Sequence, residues 1–174
     1  MTNNNRINKT DVDLNKIEIN PIKAEDKKWA LSLLNERLGS DVIITRGKIH
    51  HCNQLPGFIA TLNNKKVGFA TYSINNNECE IITLDSLMEG KGIGTSLIKK
   101  IIVTAKKRLC KRVWLITTND NTDVLKFYQK KGFVLLVVYP NAIKQSRRLK
   151  PGIPKVGING IPIRDEIELE IRLR

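Results

Sequence analysis

The stretch Asp85-Ser86-Leu87-Met88-Glu89-Gly90-Lys91-Gly92-Ile93-Gly94-Thr95-Ser96-Leu97-Ile98 places three glycines on alternate positions just before an apolar helical pattern. Without Cβ atoms, Gly90, Gly92 and Gly94 let an anion approach the backbone closely enough for several N–H groups to converge on it. A helix starting there adds unpaired amide donors and the positive end of its dipole. The stretch reads as strand, turn and helix start, a seat suited to a pyrophosphate. Two familiar phosphate cradles do not fit. The dinucleotide fingerprint G-x-G-x-x-G would need glycine at Thr95 or at Leu97, and a nucleotide P-loop from Gly90 would need Gly-Lys-Ser/Thr where the chain reads Thr95-Ser96-Leu97.

Toward the C-terminus, residues 95–109 put Leu97, Ile98, Ile101, Ile102, Ala105 and Leu109 on one face and Lys99, Lys100, Lys106 and Lys107 on the other, which predicts a helix packed on a sheet. Residues 113–117 read as an apolar strand, 122–131 as a helix stopped by Gly132, and 133–139 as another buried strand. A looser basic segment, 141–155, precedes a last strand. There Ile163, Ile167, Leu169, Ile171 and Leu173 alternate with Arg164, Glu166, Glu168, Glu170 and Arg172, so one face is expected on the core and the other toward water or polar neighbours.

Toward the N-terminus, residues 16–19 form a short alternating strand closed by Asn20-Pro21, and Asp26 is placed to cap a helix that ends at Gly39. Residues 42–45, 57–62, 66–74 and 78–85 are β-branched runs punctuated by Asn63-Asn64 and Asn75-Asn76-Asn77, which predicts an antiparallel meander. Residues 1–16, rich in Asn and charge, are expected to be a flexible tail, leaving 17–174 as one domain.

Thirty Lys and Arg against 17 Asp and Glu give a net charge of +13, which attracts anionic partners: phosphorylated cofactors, nucleic acid or acidic proteins. Aromatic content of 5%, with no basic stripe interleaved with aromatics, argues against single-strand nucleic-acid binding. Cys52, Cys79 and Cys110 have no C-x-x-C spacing, so a reduced, cytoplasmic protein without a disulfide framework or zinc site is expected. Adjacent His50 and His51 would point to opposite faces of a strand, so no metal pair is expected and both are read as surface or loop residues. No apolar run approaches the roughly 18 residues of a membrane span, and the N-terminus lacks the apolar core of a secretory signal, so no membrane partner is expected.

A second stretch, Asn119-Asp120-Asn121-Thr122-Asp123-Val124-Leu125-Lys126-Phe127-Tyr128-Gln129-Lys130-Lys131-Gly132-Phe133, follows the next strand. Together the two stretches resemble the paired signatures of the GNAT superfamily of N-acetyltransferases. The family pattern Arg/Gln-x-x-Gly-x-Gly/Ala falls on Glu89 to Gly94, and Asn-x-x-Ala-x-x-x-Tyr followed by Gly-Phe falls on Asn121, Tyr128, Gly132 and Phe133. Glu89 stands where Arg or Gln is usual, and Val124 where Ala is. The resemblance covers roughly residue 17 to the C-terminus.

The resemblance implies a single GNAT-like α/β domain, with a mixed, mostly antiparallel central sheet splayed between its two middle strands and flanked by helices. It further implies acetyl-CoA as cosubstrate, with no metal, and transfer to a primary amine of a small molecule or peptide by direct attack in a ternary complex. Gly90, Lys91, Gly92, Ile93, Gly94 and Thr95 would take the pyrophosphate, Leu84 and Asp85 the pantetheine, and a backbone N–H near Leu84 the acetyl oxygen. Asn121 would orient the cosubstrate or cap its helix. Tyr128 would donate a proton or hydrogen bond to the departing sulfur. An amine of pKa about 10.4 must lose a proton before it attacks, and Glu80 or Asp85 is the candidate base, with Asp165 considered for holding the amine. The rival readings are a basic protein that binds nucleic acid or an acidic partner, and a CoA-sensing module without catalysis. A homodimer paired through the last strand is compatible with the pattern.

Overall fold

The computed structural model describes residues 17–174; the expected tail at 1–16 lies outside the described residues. In chain order the elements are β1 (Glu18–Pro21), α1 (Ala24–Leu38), β2 (Val42–Thr45), β3 (Lys48–His51), β4 (Gly57–Leu62), β5 (Lys65–Asn75), β6 (Glu78–Ser86), α2 (Ile93–Lys107), β7 (Arg112–Thr118), α3 (Thr122–Lys130), β8 (Val134–Tyr139), α4 (Ala142–Leu149) and β9 (Glu166–Arg172). Seven strands form one sheet in the order β1-β4-β5-β6-β7-β9-β8, and β2 pairs with β3 in a separate hairpin. Within the large sheet only β6 and β7 run parallel, since α2 crosses between them.

The turns are local chemistry. Asn63-Asn64 and Asn76-Asn77 all take positive φ, which matches the twist of a two-residue hairpin and makes β4-β5-β6 a meander. Gly39 ends α1 at φ 66°, its N–H donating to the Asn35 carbonyl. Asp26 acts from inside the first turn of α1, accepting the Lys23 N–H at 3.0 Å and pairing with Lys66 at 2.7 Å; Lys23, not Asp26, is the capping position.

Each face of the sheet has its own core. Ile93, Leu97, Ile98, Ile101 and Ala105 of α2 bury against Phe58, Ala60, Cys79, Ile81, Val113, Leu115 and Leu169. Ala30, Leu33 and Leu34 of α1 bury against Ile59, Phe69 and Ile82 on the opposite face. Among the described residues no helix is long and apolar enough to cross a membrane.

Several expectations are corrected by packing. Residues 134–138 form an exposed strand, not a buried one: Val134, Leu135 and Val138 are 57%, 53% and 54% exposed, because β8 is the sheet edge and only β9 flanks it. β9 is interior, between β7 and β8, so a strand edge open to a second copy belongs to β8 instead of the last strand. The segment 141–155 contains a helix, α4, whose Ile143 and Ser146 are buried. His50 is 3% exposed, not a surface residue, whereas His51 on the other face of β3 is exposed. Asp165 stands just before β9, where it accepts from the Asn141 N–H and the Arg164 guanidinium and closes a loop.

Candidate active site

The glycine turn follows β6 directly. Gly90 and Gly92 adopt φ 70° and 77°, a left-handed backbone that disfavours side chains, and an added Cβ at either would meet nothing within 4 Å. The turn is therefore open on its outer side. Ile93, 1% exposed, plugs the start of α2 into the core. Among the described residues no side chain caps α2, and its first turn carries no acidic residue. Gly94 serves a different purpose: a Cβ there would stand 3.2 Å from Cζ of Phe127, so its absence lets α2 and α3 approach. Gly90, Lys91, Gly92, Ile93, Gly94 and Thr95 thus lie together on one turn and the helix start behind it, with Lys91 and Glu89 exposed.

Beside this turn the sheet opens. β6 pairs with β7 only from Glu78 to Ile81, opposite Arg112 to Leu115, although β6 continues to Ser86 and β7 to Thr118. From Thr83 onward the β7-facing edge of β6 has no partner strand among the described residues, so main-chain groups around Leu84 and Asp85 face the gap. A bulge at Ile82 shifts the register of β6 against β5 between Ile81 and Thr83. Its effect on side chains is decisive. Cys79, Ile81 and Leu84 turn to the α2 face, while Glu80, Ile82 and Asp85 turn to the α1 face, which simple alternation forbids for residues 80 and 85 together.

Tyr128 of α3 is 4% exposed, edge-on to Phe127 and Phe133 at 5.2 Å each. Burial pushes its phenol well above the usual 10. Its hydroxyl makes no hydrogen bond to any described residue. Asn121 occupies the cap position of α3, but its side chain caps nothing.

On the α1 face, Glu80 is 5% exposed. Its Oε1 accepts from the Thr45 hydroxyl at 2.7 Å, and Thr45, with its hydrogen so committed, accepts from Nε2–H of His50 at 2.8 Å. Burial, aided by the charge of Lys48, holds His50 at about 4, so this ring is neutral. Burial likewise pushes Glu80 above the ordinary carboxylate range, against the pull of Thr45. Asp85 is also raised by burial, with Arg37 of α1 lowering it from 2.7 Å, as an ion pair off the hydrogen-bonding direction.

The polar face of β9 is buried with Glu80. Glu166, Glu168 and Glu170 are 1%, 2% and 3% exposed, covered by the β2–β3 hairpin, α4 and neighbouring side chains. Arg112 donates to Glu78, Glu168 and Glu170 at 2.7–2.9 Å, the Tyr139 hydroxyl donates to Glu168 at 2.6 Å, and Ser146 donates to Glu166 at 3.1 Å. Burial works to raise Glu170, but Arg172 and Arg112 prevail and hold it low. Next to this network a pocket of about 300 Å³ is lined by residues that include Arg46, Lys48, Glu78, Glu80 and Trp114.

Of these, Thr45, Arg46, Lys48, His50 and Trp114 carry no motif. The alternating glutamates of β9 were the one legible sign of a polar interior. The three cysteines are buried, and burial pushes Cys52 to about 11 and Cys79 to about 12, so neither is a thiolate at neutral pH.

Comparison with known proteins agrees with this geometry. The model of the acetyltransferase (GNAT) family matches residues 26–133. The uncharacterized protein YdhI of Bacillus subtilis is 50% identical over 120 residues, covering 68% of this chain and 75% of that protein. The uncharacterized protein YxbD of the same organism is 40% identical over 144 residues, 82% of this chain and 91% of its own. A GNAT family acetyltransferase from Elizabethkingia anophelis, solved with acetyl-CoA bound, superposes with a TM-score of 0.66 at 24% identity, covering 91% of this chain and 99% of that one. The chain belongs to the GNAT family of acetyltransferases, enzymes that use acetyl-CoA.

Proposed function

We propose that the chain acetylates a primary amine by direct attack in a ternary complex, with Glu80 accepting the amine's proton and Tyr128 donating a hydrogen bond to the departing sulfur. The observation that carries this reading is the position of Glu80. It is a buried carboxylate with no Lys or Arg in ion-pair contact among the described residues, one residue short of the point where the sheet opens, and it lines a pocket. A base held above the ordinary carboxylate range takes a proton more readily, and an acceptor amine of pKa about 10.4 arrives protonated.

When bound, acetyl-CoA supplies an acetyl group activated as a thioester. The uncapped amides at the start of α2 and the open turn at Gly90 and Gly92 suit its diphosphate. The unpaired edge at Leu84 and Asp85 suits the pantetheine, leaving an N–H for the acetyl oxygen. Asn121 has its side chain available to orient the same ligand. The ammonium gives one proton to Glu80; a nitrogen–carbon bond then forms as the carbon–sulfur bond breaks, and the nitrogen's second proton passes to the departing sulfur, which leaves as the thiol of CoA. Tyr128 stays protonated throughout, since burial raises a phenol already far above the roughly 8.5 of a thiol; a hydrogen bond to the sulfur is its contribution. Asp85, tied to Arg37, anchors α1 beside the gap, and the base role goes to Glu80.

Thermal unfolding with acetyl-CoA and free-thiol release with a panel of amines test this reading. A ligand at a hundredfold its Kd adds about 2.7 kcal/mol of stability. Binding without thiol release from any amine would remove the transfer step.

A further inference from the structure

The pocket beside Glu80 lies between walls of opposite sign. The sheet side carries Glu78 and Glu80 of β6 and the indole of Trp114 of β7, while the β2–β3 hairpin carries Arg46 in its turn and Lys48 at the start of β3. Its volume of about 300 Å³ is at the small end of ligand pockets, with room for a compact molecule.

The four charges differ in what already satisfies them. Glu78 is neutralised by Arg112 at 2.9 Å. Arg46 leans over the Tyr139 ring at 4.6 Å from its centroid, and its guanidinium lies 3.6 Å from Glu168. Among the described residues Glu80 accepts from a hydroxyl and lies 3.8 Å from a neutral imidazole, and Lys48 and Arg46 reach it by charge without ion-pair contact. Lys48 is exposed and forms no ion pair among the described residues. Among the described residues Glu80, where the sheet begins to open, and Lys48, on the facing hairpin, thus each lack an ion-pair contact, while their opposite charges act on each other across the pocket they both line.

On the acetyl-transfer reading above, we propose that the acceptor is a small amine that also carries an acidic group, a molecule of amino-acid type. Its ammonium faces Glu80 and the Trp114 ring, where the proton must leave and the acetyl group must arrive, and its carboxylate faces Lys48. A diamine of the same length would set its second cation against Lys48 and Arg46, and a neutral amine would forgo the contact with Lys48.

The test is kcat/KM, from acetyl-CoA-dependent thiol release, for amino acids, for the same compounds as primary amides, and for α,ω-diamines. The acids are expected to exceed the amides by about tenfold, the scale of a hydrogen bond to a charged group at a partly screened site. Lys48→Gln should reduce that acid-over-amide ratio by about tenfold, and Lys48→Glu should shift the preference to diamines. Amides or diamines used as well as acids by the unaltered enzyme, or a ratio unmoved in Lys48→Gln, would overturn the proposal. Absence of release with every class, while acetyl-CoA still raises the melting temperature, would be a different failure: the transfer reading falls and takes this one with it.

Discussion

The Thr45 hydroxyl donates to Oε1 of Glu80 across 2.7 Å, tying the β2–β3 hairpin to the central sheet one residue before β6 and β7 part. The hairpin thereby covers much of the carboxylate, which is 5% exposed.

Glu80→Gln retains an acceptor for Thr45 and removes the buried charge. We expect kcat to fall by about 10²- to 10⁴-fold while the melting temperature at pH 7 holds or rises. The sign follows from the raised folded pKa. Between its unfolded and folded pKa the folded state binds a proton that the unfolded chain does not, so this group's stabilisation is complete below the unfolded value and is lost as pH rises through the folded one. Glutamine removes that loss. In the unaltered enzyme kcat should decline on acidification at a pH above the ordinary carboxylate range. Unchanged turnover in the variant would end the assignment of Glu80 as base.

His50 titrates with the opposite sign. Burial lowers it from 6.5 to about 4, so between these values the unfolded state binds more protons and stability falls as pH falls, by up to about 3 kcal/mol. His50→Gln keeps a donor for Thr45 and should flatten this acid slope. Urea unfolding at pH 7, 5.5 and 4.5 measures it, and equal slopes in the two proteins would assign the acid sensitivity to other groups.

Tyr128→Phe keeps the ring between Phe127 and Phe133 and deletes a hydroxyl that has no hydrogen-bond partner among the described residues. Stability should change by less than about 1 kcal/mol, and kcat should fall by about 10- to 100-fold. Because burial keeps the phenol protonated, kcat should show no alkaline limb from Tyr128 up to about pH 10. A loss beyond about 10³-fold together with such a limb would mean that Tyr128 transfers its proton outright.

Gly92→Ala and Gly94→Ala separate two uses of glycine. Alanine at 92 keeps free space but opposes φ 77°, costing about 1 kcal/mol and disturbing the turn, so KM for acetyl-CoA should rise most. Alanine at 94 presses on Phe127 and, through it, on Tyr128, so kcat should suffer most. Steady-state kinetics in acetyl-CoA distinguish them, and the reverse pattern would contradict this division.

Arg112→Met leaves Glu168 and Glu170 buried without the guanidinium that joins them, and should destabilise the fold by about 3–5 kcal/mol. Chemical denaturation measures this; a cost under about 1 kcal/mol would show that the remaining arginines and hydroxyls suffice.

The glycine turn, the α2 stripe, the β4–β6 meander and the place of Asn121 and Tyr128 were all legible in the residues, because each rests on neighbours in sequence: glycine φ, helical periodicity, asparagine turns. Tertiary structure alone decided the rest. Residues 134–138 spell a buried strand, yet they lie exposed, because chain order does not say that β9 inserts between β7 and β8 and leaves β8 at the edge. The glutamates of β9 spell a polar face, but whether water or protein covers it depends on a hairpin more than 100 residues earlier in the chain. The bulge at Ile82 turns Glu80 and Asp85 to one face against simple alternation, since strand register is settled by the pairing partner as well as by the strand's own residues.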